Sequence, residues 1–252
     1  MTAIRSELRD NVTLLTIDRP PVNALNVDTL DELTDTVEGL HDADAVVLTG
    51  TGSIFSAGAD LWKVLESAED PAYIDRGIVA LSRNFEALFT FPRPLVGAVN
   101  GHALAGGAIL TSACDYRVMA AESGRIGAVE LAAGVPFPAW ALEILRFAVN
   151  NDHLQEVVIV GRSYKPADAQ RLGLIDEVVP PKELMERALK VAGDLAAVPR
   201  ETFSVTKEML RAQAVAAARA SAADTDERVK AAWRSPEVVA AVRRTMESLE
   251  AR

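Results

Sequence analysis

The order of the first three regular segments constrains the fold more than any other feature of the chain. Val12-Thr13-Leu14-Leu15-Thr16-Ile17 is an apolar run rich in β-branched residues and reads as a strand, closed by Asp18-Arg19-Pro20-Pro21. Asn26 stands where it can cap a helix, and Val27, Leu30, Leu33, Val37 and Leu40 supply that helix's apolar positions. Ala45-Val46-Val47-Leu48 follows as a short, continuously apolar strand before Thr49-Gly50-Thr51-Gly52. Strand, helix and strand in that order imply a right-handed crossover and a sheet largely covered on its faces.

A second cycle follows. Ser56-Ala57-Gly58-Ala59-Asp60 is a tight segment opening into Leu61-Trp62-Lys63-Val64, and the polar stretch from Glu66 to Tyr73 reads as a loop. Arg76 to Thr90 reads as a helix with Ile78, Leu81, Phe85 and Leu88 on one side, interrupted by Pro92 and Pro94. A strand is expected at Leu95 to Val99, a small-residue helix at Gly106 to Ser112 and a strand at Tyr116 to Met119. From about Pro138 the pattern turns mostly helical, with a short extended interlude at Ile175 to Val179. Further helices are expected at Glu183 to Leu195, Thr202 to Ala218 and Asp224 to Trp233, with a last one beginning near Pro236. The alanine-rich stretch from Ala214 to Ala223 needs no explanation beyond helix propensity.

Composition narrows the function classes. A chain of 252 residues, 49% hydrophobic, suits one large domain, with or without a small helical appendage. A net charge of -10, from 36 acidic and 26 basic residues, argues against general affinity for nucleic acid or an anionic membrane. The apolar run Leu95 to Val99 is far too short to span a bilayer. Met1 to Asn11 carries Arg5, Glu7, Arg9 and Asp10 and lacks the apolar centre of a signal peptide. Cys114 is the single cysteine, so no intrachain disulfide can form and a reducing cytoplasm is the expected compartment. His41, His102 and His153 are widely spaced and show no metal-ligand pattern, so no metal is expected.

Two small-residue segments carry the chemical signal. Phe55-Ser56-Ala57-Gly58-Ala59-Asp60 reads either as a tight turn allowing close packing or as a backbone amide aimed at a ligand from a helix start. Asn100-Gly101-His102-Ala103-Leu104-Ala105-Gly106-Gly107-Ala108 reads either as a close helix–sheet crossing or as a helix N-terminus that lets a ligand approach the main chain. The packing reading explains the alanines but explains less well why Gly106 and Gly107 are adjacent. Neither segment has the spacing of a dinucleotide fingerprint or a P-loop. Two such amides can converge on one carbonyl oxygen, and one donor of that kind is worth about 3 kcal/mol in a transition state. Glu130, in Ile126-Gly127-Ala128-Val129-Glu130-Leu131, is either an ordinary acid at a helix start or a buried acid–base group; Val135, Phe137 and Trp140 could wall such a pocket or be plain core.

These motifs, with Arg19-Pro20 through Asn23-Ala24-Leu25-Asn26, Cys114-Asp115-Tyr116-Arg117-Val118-Met119-Ala120, Gly161-Arg162, Ala167 to Leu174 and Lys207, resemble the crotonase superfamily, the enoyl-CoA hydratase/isomerase family, over essentially the whole chain. The resemblance implies an α/β fold, a spiral of repeated ββα units over 1–195, and a helical C-terminal trimerisation region over 196–252. It implies homotrimers, or dimers of trimers. It implies an acyl-CoA substrate, with coenzyme A as part of the thioester rather than a separate cofactor. The oxyanion-hole amides map to Ala59 and Gly106. The substrate's coenzyme A portion is expected near Ala24 and Leu25 and along Ala57, Gly58, Ala59, Asp60 and Leu61, with Gly106 beside it.

In the family's hydratases two glutamates work together; one matches Glu130 and the other matches Ile109. Isoleucine can neither hold water nor carry a proton. The regions Cys114 to Ala120 and Ile126 to Pro138 resemble the mitochondrial-type 3,2-enoyl-CoA isomerase subgroup, in which the residue matching Glu130 is the base. The resemblance therefore points to isomerisation of a 3-enoyl thioester by Glu130, with hydration, another crotonase reaction or acyl-CoA binding without turnover as alternatives. Asp60 is expected to serve the turn that bears Ala59, His102 to make a buried hydrogen bond, Asp115 to organise the turn before its strand, and Cys114 to be a packed thiol. Phe85, Phe89, Phe137 and Trp140 are candidates for shaping an apolar tail site.

Overall fold

The computed structural model describes residues 2–122 and 124–250. A large sheet holds six strands, β1 (Ile4–Arg9), β2 (Val12–Ile17), β3 (Ala45–Gly50), β5 (Leu95–Val99), β7 (Tyr116–Ala120) and β9 (Glu177–Val179), in that spatial order. Only the β1–β2 pair is antiparallel; the other neighbours are parallel. A small parallel sheet holds β4 (Ile54–Ser56), β6 (His102–Leu104) and β8 (Ile126–Gly127). The first turn lays β1 and β2 both on the large sheet; from β3 onward each turn lays one strand on the large sheet, one on the small sheet and then a helix. Thus β3 and β4 lead to α2 (Leu61–Glu66) and α3 (Pro71–Thr90), β5 and β6 to α4 (Gly106–Ala113), and β7 and β8 to α5 (Glu130–Ala133). The first helix, α1 (Val27–Glu38), crosses from β2 to β3 and is capped by Asn26, which accepts the Thr29 N–H at 2.9 Å. This is the expected spiral of ββα units.

Both faces of the large sheet are covered, which is why β3 and β5 are buried along their whole length. One face meets α1, α3, α4 and α6 (Ala139–Ala148) in a core that includes Leu33, Leu48, Phe85, Leu88 and Leu110. The other face meets α9 (Leu184–Ala196) through Leu184, Ala188, Val191 and Ala192. Between α6 and α9 lie α7 (Leu154–Ile159) and α8 (Pro166–Leu172). The chain ends in α10 (Arg200–Trp233), packed along α6 and α3, and α11 (Pro236–Glu250), packed on α2 and α5. No helix among the described residues is long and apolar enough to cross a membrane.

Three expectations need correction. The loop expected from Glu66 to Tyr73 is confined to residues 67–70: α2 ends at Glu66 and α3 begins at Pro71, where Asp70 accepts the Ala72 N–H at 3.1 Å and proline suits the first helical turn. The expected pair Thr202–Ala218 and Asp224–Trp233 is one continuous helix, because the alanine-rich stretch between them favours helix and nothing in it breaks one. Strands β1, β4, β6 and β8 were not anticipated individually. In β1 only Ile4 is buried, and the other three have two or three residues each, too few for a readable period.

Candidate active site

The Arg19–Asp60 region is tied down by polar contacts. Buried Asn23 adopts a left-handed φ of 51° and donates to the carbonyls of Ile54 and Thr51 at 2.7 and 3.1 Å. Arg19 donates to the Ala24 carbonyl at 2.9 Å and to Asp60 at 2.6 Å. Asp60 also caps α2 through the Lys63 N–H at 3.0 Å. Leu25 and Ala59 form a parallel bridge in which Leu25 bonds to Gly58 and Asp60, at 2.8 and 3.0 Å. Those bonds use the groups flanking Ala59 and leave its own N–H without a partner among the described residues.

The second segment meets this one directly. Gly58 has φ +85°, and a Cβ there would stand 2.8 Å from the Gly106 nitrogen and from Ala105 Cβ. Gly107 is packed even more tightly: a Cβ would lie 2.3 Å from the Ser56 carbonyl oxygen. The adjacent glycines therefore serve different ends. Gly107 lets α4 cross β4 closely, whereas Gly106 is the first residue of α4 and its N–H also lacks a partner among the described residues. A Cβ at Gly106 would sit 3.7 Å from the Ala59 nitrogen, which brings the two free amides side by side. Ala105, just before them, holds φ 49° and ψ -124°, a strained conformation of the kind found at functional sites.

These amides border a cavity of about 270 Å³ lined by Ala57, Ala59, Leu61, Gly106 and Glu130, with Leu81 and Phe85 from α3 and Trp233 from α10. Thr245 and Leu249 of α11 lie on its wall. Among the described residues lining it, Glu130 is the only ionisable one. It opens α5, is buried, and its Oε2 has no hydrogen-bond partner among the described residues. Burial pushes its carboxyl up to about 8, opposed only by its own backbone N–H. An acid with that affinity for protons can both take and return one near neutral pH. Beside it, the free amides and the N-terminus of α4 offer a seat for an oxygen on which negative charge develops.

The other anticipated residues fall in different places. Ile109 is wholly buried in the core and does not reach the cavity. Leu25 and Asp60 face a second, smaller chamber, while Ala24 and Gly58 lie behind the cavity wall and shape it through the contacts above. Of the four aromatic candidates only Phe85 lines the cavity. Phe89 stacks edge-on against Phe147, and Phe137 and Trp140 are core, whereas Val135 does line it. The ring of His102 makes no hydrogen bond among the described residues and borders a separate open groove, so its expected buried bond is not formed. Asp115 accepts the Leu95 N–H at 2.8 Å and pairs with Lys207 and Arg211. Cys114 is buried, its thiol pushed up to about 12 by burial. Sequence reasoning missed Trp233, Thr245 and Leu249, which reach the cavity from the C-terminal helices.

The sequence pattern of the enoyl-CoA hydratase/isomerase family matches residues 7–248. The chain belongs to that family. It is 37% identical over 181 residues to a putative enoyl-CoA hydratase of Thermus thermophilus, covering 71% of this chain and 70% of that protein. It is 31% identical over 213 residues to the mitochondrial enoyl-CoA delta isomerase 1 of Mus musculus, covering 82% and 73%. Among solved structures, human mitochondrial delta3-delta2-enoyl-CoA isomerase superposes with a TM-score of 0.90 at 26% identity, covering 98% of each chain. Family membership makes this an enzyme of acyl-CoA chemistry on a crotonase fold, and hydratases and isomerases stand at similar distances from it.

Proposed function

We propose that the chain is a 3,2-enoyl-CoA isomerase that works with a single base. The observation that carries this reading is that Glu130 alone among the described cavity-lining residues is ionisable, while the position that would hold a second acid is the buried Ile109. Ionised Glu130 takes a proton from C2 of a 3-enoyl thioester. The electron pair moves onto the thioester oxygen, which the Ala59 and Gly106 N–H groups hold as an oxyanion. Protonated Glu130 returns the proton at C4, and the double bond moves from C3–C4 to C2–C3. No atom is added, so the reaction needs no separate cofactor; coenzyme A is the handle of the substrate. Of the residues expected to meet that handle, Ala57, Ala59 and Leu61 line the main cavity and form the edge along which it is read. Hydration of a 2-enoyl thioester would need a group to position and activate water beside Glu130, and the cavity wall offers no second carboxylate.

The assembly in this reading is a homotrimer, or a dimer of trimers, built through the 196–252 region. Exposed Val205, Met209 and Leu210 on α10, beside half-exposed Phe147, supply an apolar face for it. A single buried thiol suits a reducing cytoplasm.

The test is paired turnover of 3-enoyl-CoA and 2-enoyl-CoA by the wild type and Glu130→Gln. Conversion of the 3-enoyl substrate to the 2-enoyl product, lost in the variant, is the expected result. Efficient hydration with negligible isomerisation would contradict it. Tight acyl-CoA binding without proton exchange would make the chain a binding protein instead.

A further inference from the structure

Beside the main cavity lies a second, smaller chamber, lined mostly by apolar side chains together with Asn26, Asp60 and Tyr73. It holds about 30 Å³, against about 270 Å³ for the main cavity. Ala59, Leu81 and Trp233 line both spaces, so these residues form the wall between them. Ala59 belongs to the carbonyl-holding turn; Leu81 and Trp233 are the large side chains of that wall. On the far side stand Leu30, Ile74 and Ile78, with Gly77 among them. Gly77 lies inside α3, where glycine is unfavourable relative to alanine, and a Cβ there would meet nothing within 4 Å. The helix thus carries a residue that weakens it and leaves space unfilled on the far side of the wall.

Trp233 is a fixed part of that wall. It is buried, and its indole N–H donates to the Pro136 carbonyl at 3.2 Å, on the strand of chain that follows Glu130 and α5. Its neighbour Arg234 bonds Asp75 of α3 at 2.9 Å. The indole is anchored on the Pro136 side, and Arg234 ties the same end of α10 to α3. Ala59, Gly106, Leu81 and Trp233 all line the main cavity, whose remaining wall is mostly apolar.

We infer that Trp233, supported by Leu81, is the residue that sets the acyl-chain length this site accepts, and that the chamber at Gly77 is latent room which Trp233 closes to the acyl tail. The inference rests on the acyl-CoA reading of the cavity but not on which reaction Glu130 performs. Its test therefore uses saturated acyl-CoA esters, which bind and do not turn over. Affinities are measured across a chain-length series for the wild type, Trp233→Leu, Gly77→Leu and the double variant, each checked for folding by thermal melting. In the wild type, affinity rises about fourfold per added buried methylene and then stops rising at a limiting length. Trp233→Leu extends the rise to longer chains. Gly77→Leu alone leaves the limit unchanged, and in the double variant it cancels the extension by refilling the chamber. Leu81→Ala, which opens the same wall from α3, gives the same extension and decides the matter where Trp233→Leu does not fold.

A folded Trp233→Leu with an unchanged limit overturns the proposal, as does a Gly77→Leu variant that shortens the limit by itself, since the tail would then already occupy the chamber. A wild type that binds no acyl-CoA overturns the reading of the cavity and this proposal together. Length-dependent binding indifferent to the wall overturns this proposal alone.

Discussion

Two carboxylates, the part-buried Asp115 and the buried Glu130, stand fifteen positions apart in sequence and are treated in opposite ways. Asp115 is fully engaged: one oxygen meets the Leu95 N–H and the Lys207 ammonium at 2.8 and 2.7 Å, and the other meets Arg211 at 2.8 Å. Arg211 and Lys207 spend their remaining donors on the carbonyls of Phe89, Ala113, Cys114 and Arg93. This cluster fastens α10 to the turn between α4 and β7. Burial pulls the Lys207 ammonium down to about 8 against the opposing pull of Asp115, so the cluster depends on that acid staying in place. Glu130 has no such partners among the described residues; its Oε2 is unpartnered, and it shares its cavity with apolar side chains and the residues that bear the two free amides. An acid with its charges matched is a fastening; a buried acid left unmatched holds a proton more tightly than usual and can hand it over.

The largest expected effect breaks the unmatched acid. Glu130→Gln lowers kcat/KM for isomerisation by roughly 10²–10⁴-fold, the range for loss of a general base, while saturated acyl-CoA still binds; steady-state kinetics and calorimetry measure the two. Breaking the matched acid moves a different quantity. Asp115→Ala strands Lys207 and Arg211 as buried, unpaired cations and lowers stability by about 3–5 kcal/mol, read as a shift in the urea midpoint. A methyl at Gly58 disturbs the amide pair instead of either acid. Gly58→Ala is strained at φ +85° and pushes on the Gly106 nitrogen, so kcat falls about 10²-fold, with the amide pair displaced. The smallest effect sharpens the comparison through pH. The folded-state value of about 8 for Glu130 lies above the ordinary 4.5, so the folded protein holds a proton that the unfolded chain has released across that window. Stability therefore falls as pH rises from about 4.5 to about 8. Glu130→Gln, which cannot ionise, gains on the wild type over that interval, by up to a few kcal/mol above pH 8 and by little at pH 4, as chemical denaturation at the two pH values would measure. A variant equally stable relative to the wild type at both would mean that Glu130 is solvated.

How much of this was legible beforehand depended on whether a residue acts through local pattern or through distant packing. The β2–α1–β3 crossover showed in its apolar runs and its Asn26 cap because both are local. The Ser56 to Asp60 and Gly101 to Ala108 segments showed because close approach of two backbones excludes side chains, and sequence records that exclusion as glycine and alanine. Gly107 is the clear case, with a Ser56 oxygen where its Cβ would be. The short strands of the small sheet did not show, because two or three residues carry no period. Trp233 did not show for another reason. It reaches Pro136 across 97 residues, from a helix whose buried positions include Lys207 and Arg211 and which therefore lacks a clean apolar stripe. The isolation of Glu130 was half legible. Ile109 announced that one acid was missing, but that no other acid lines the cavity required α3, α10 and α11 to be in place around it.

The most direct measurement is the pH dependence of kcat/KM for isomerisation of a 3-enoyl-CoA by the wild type. The account predicts a rise through a single ionisation near pH 8, levelling above it, as burial releases the Glu130 proton late. A profile already level above pH 5, as an ordinary carboxylate at about 4.5 would give, or one that persists at full height in Glu130→Gln, would contradict it.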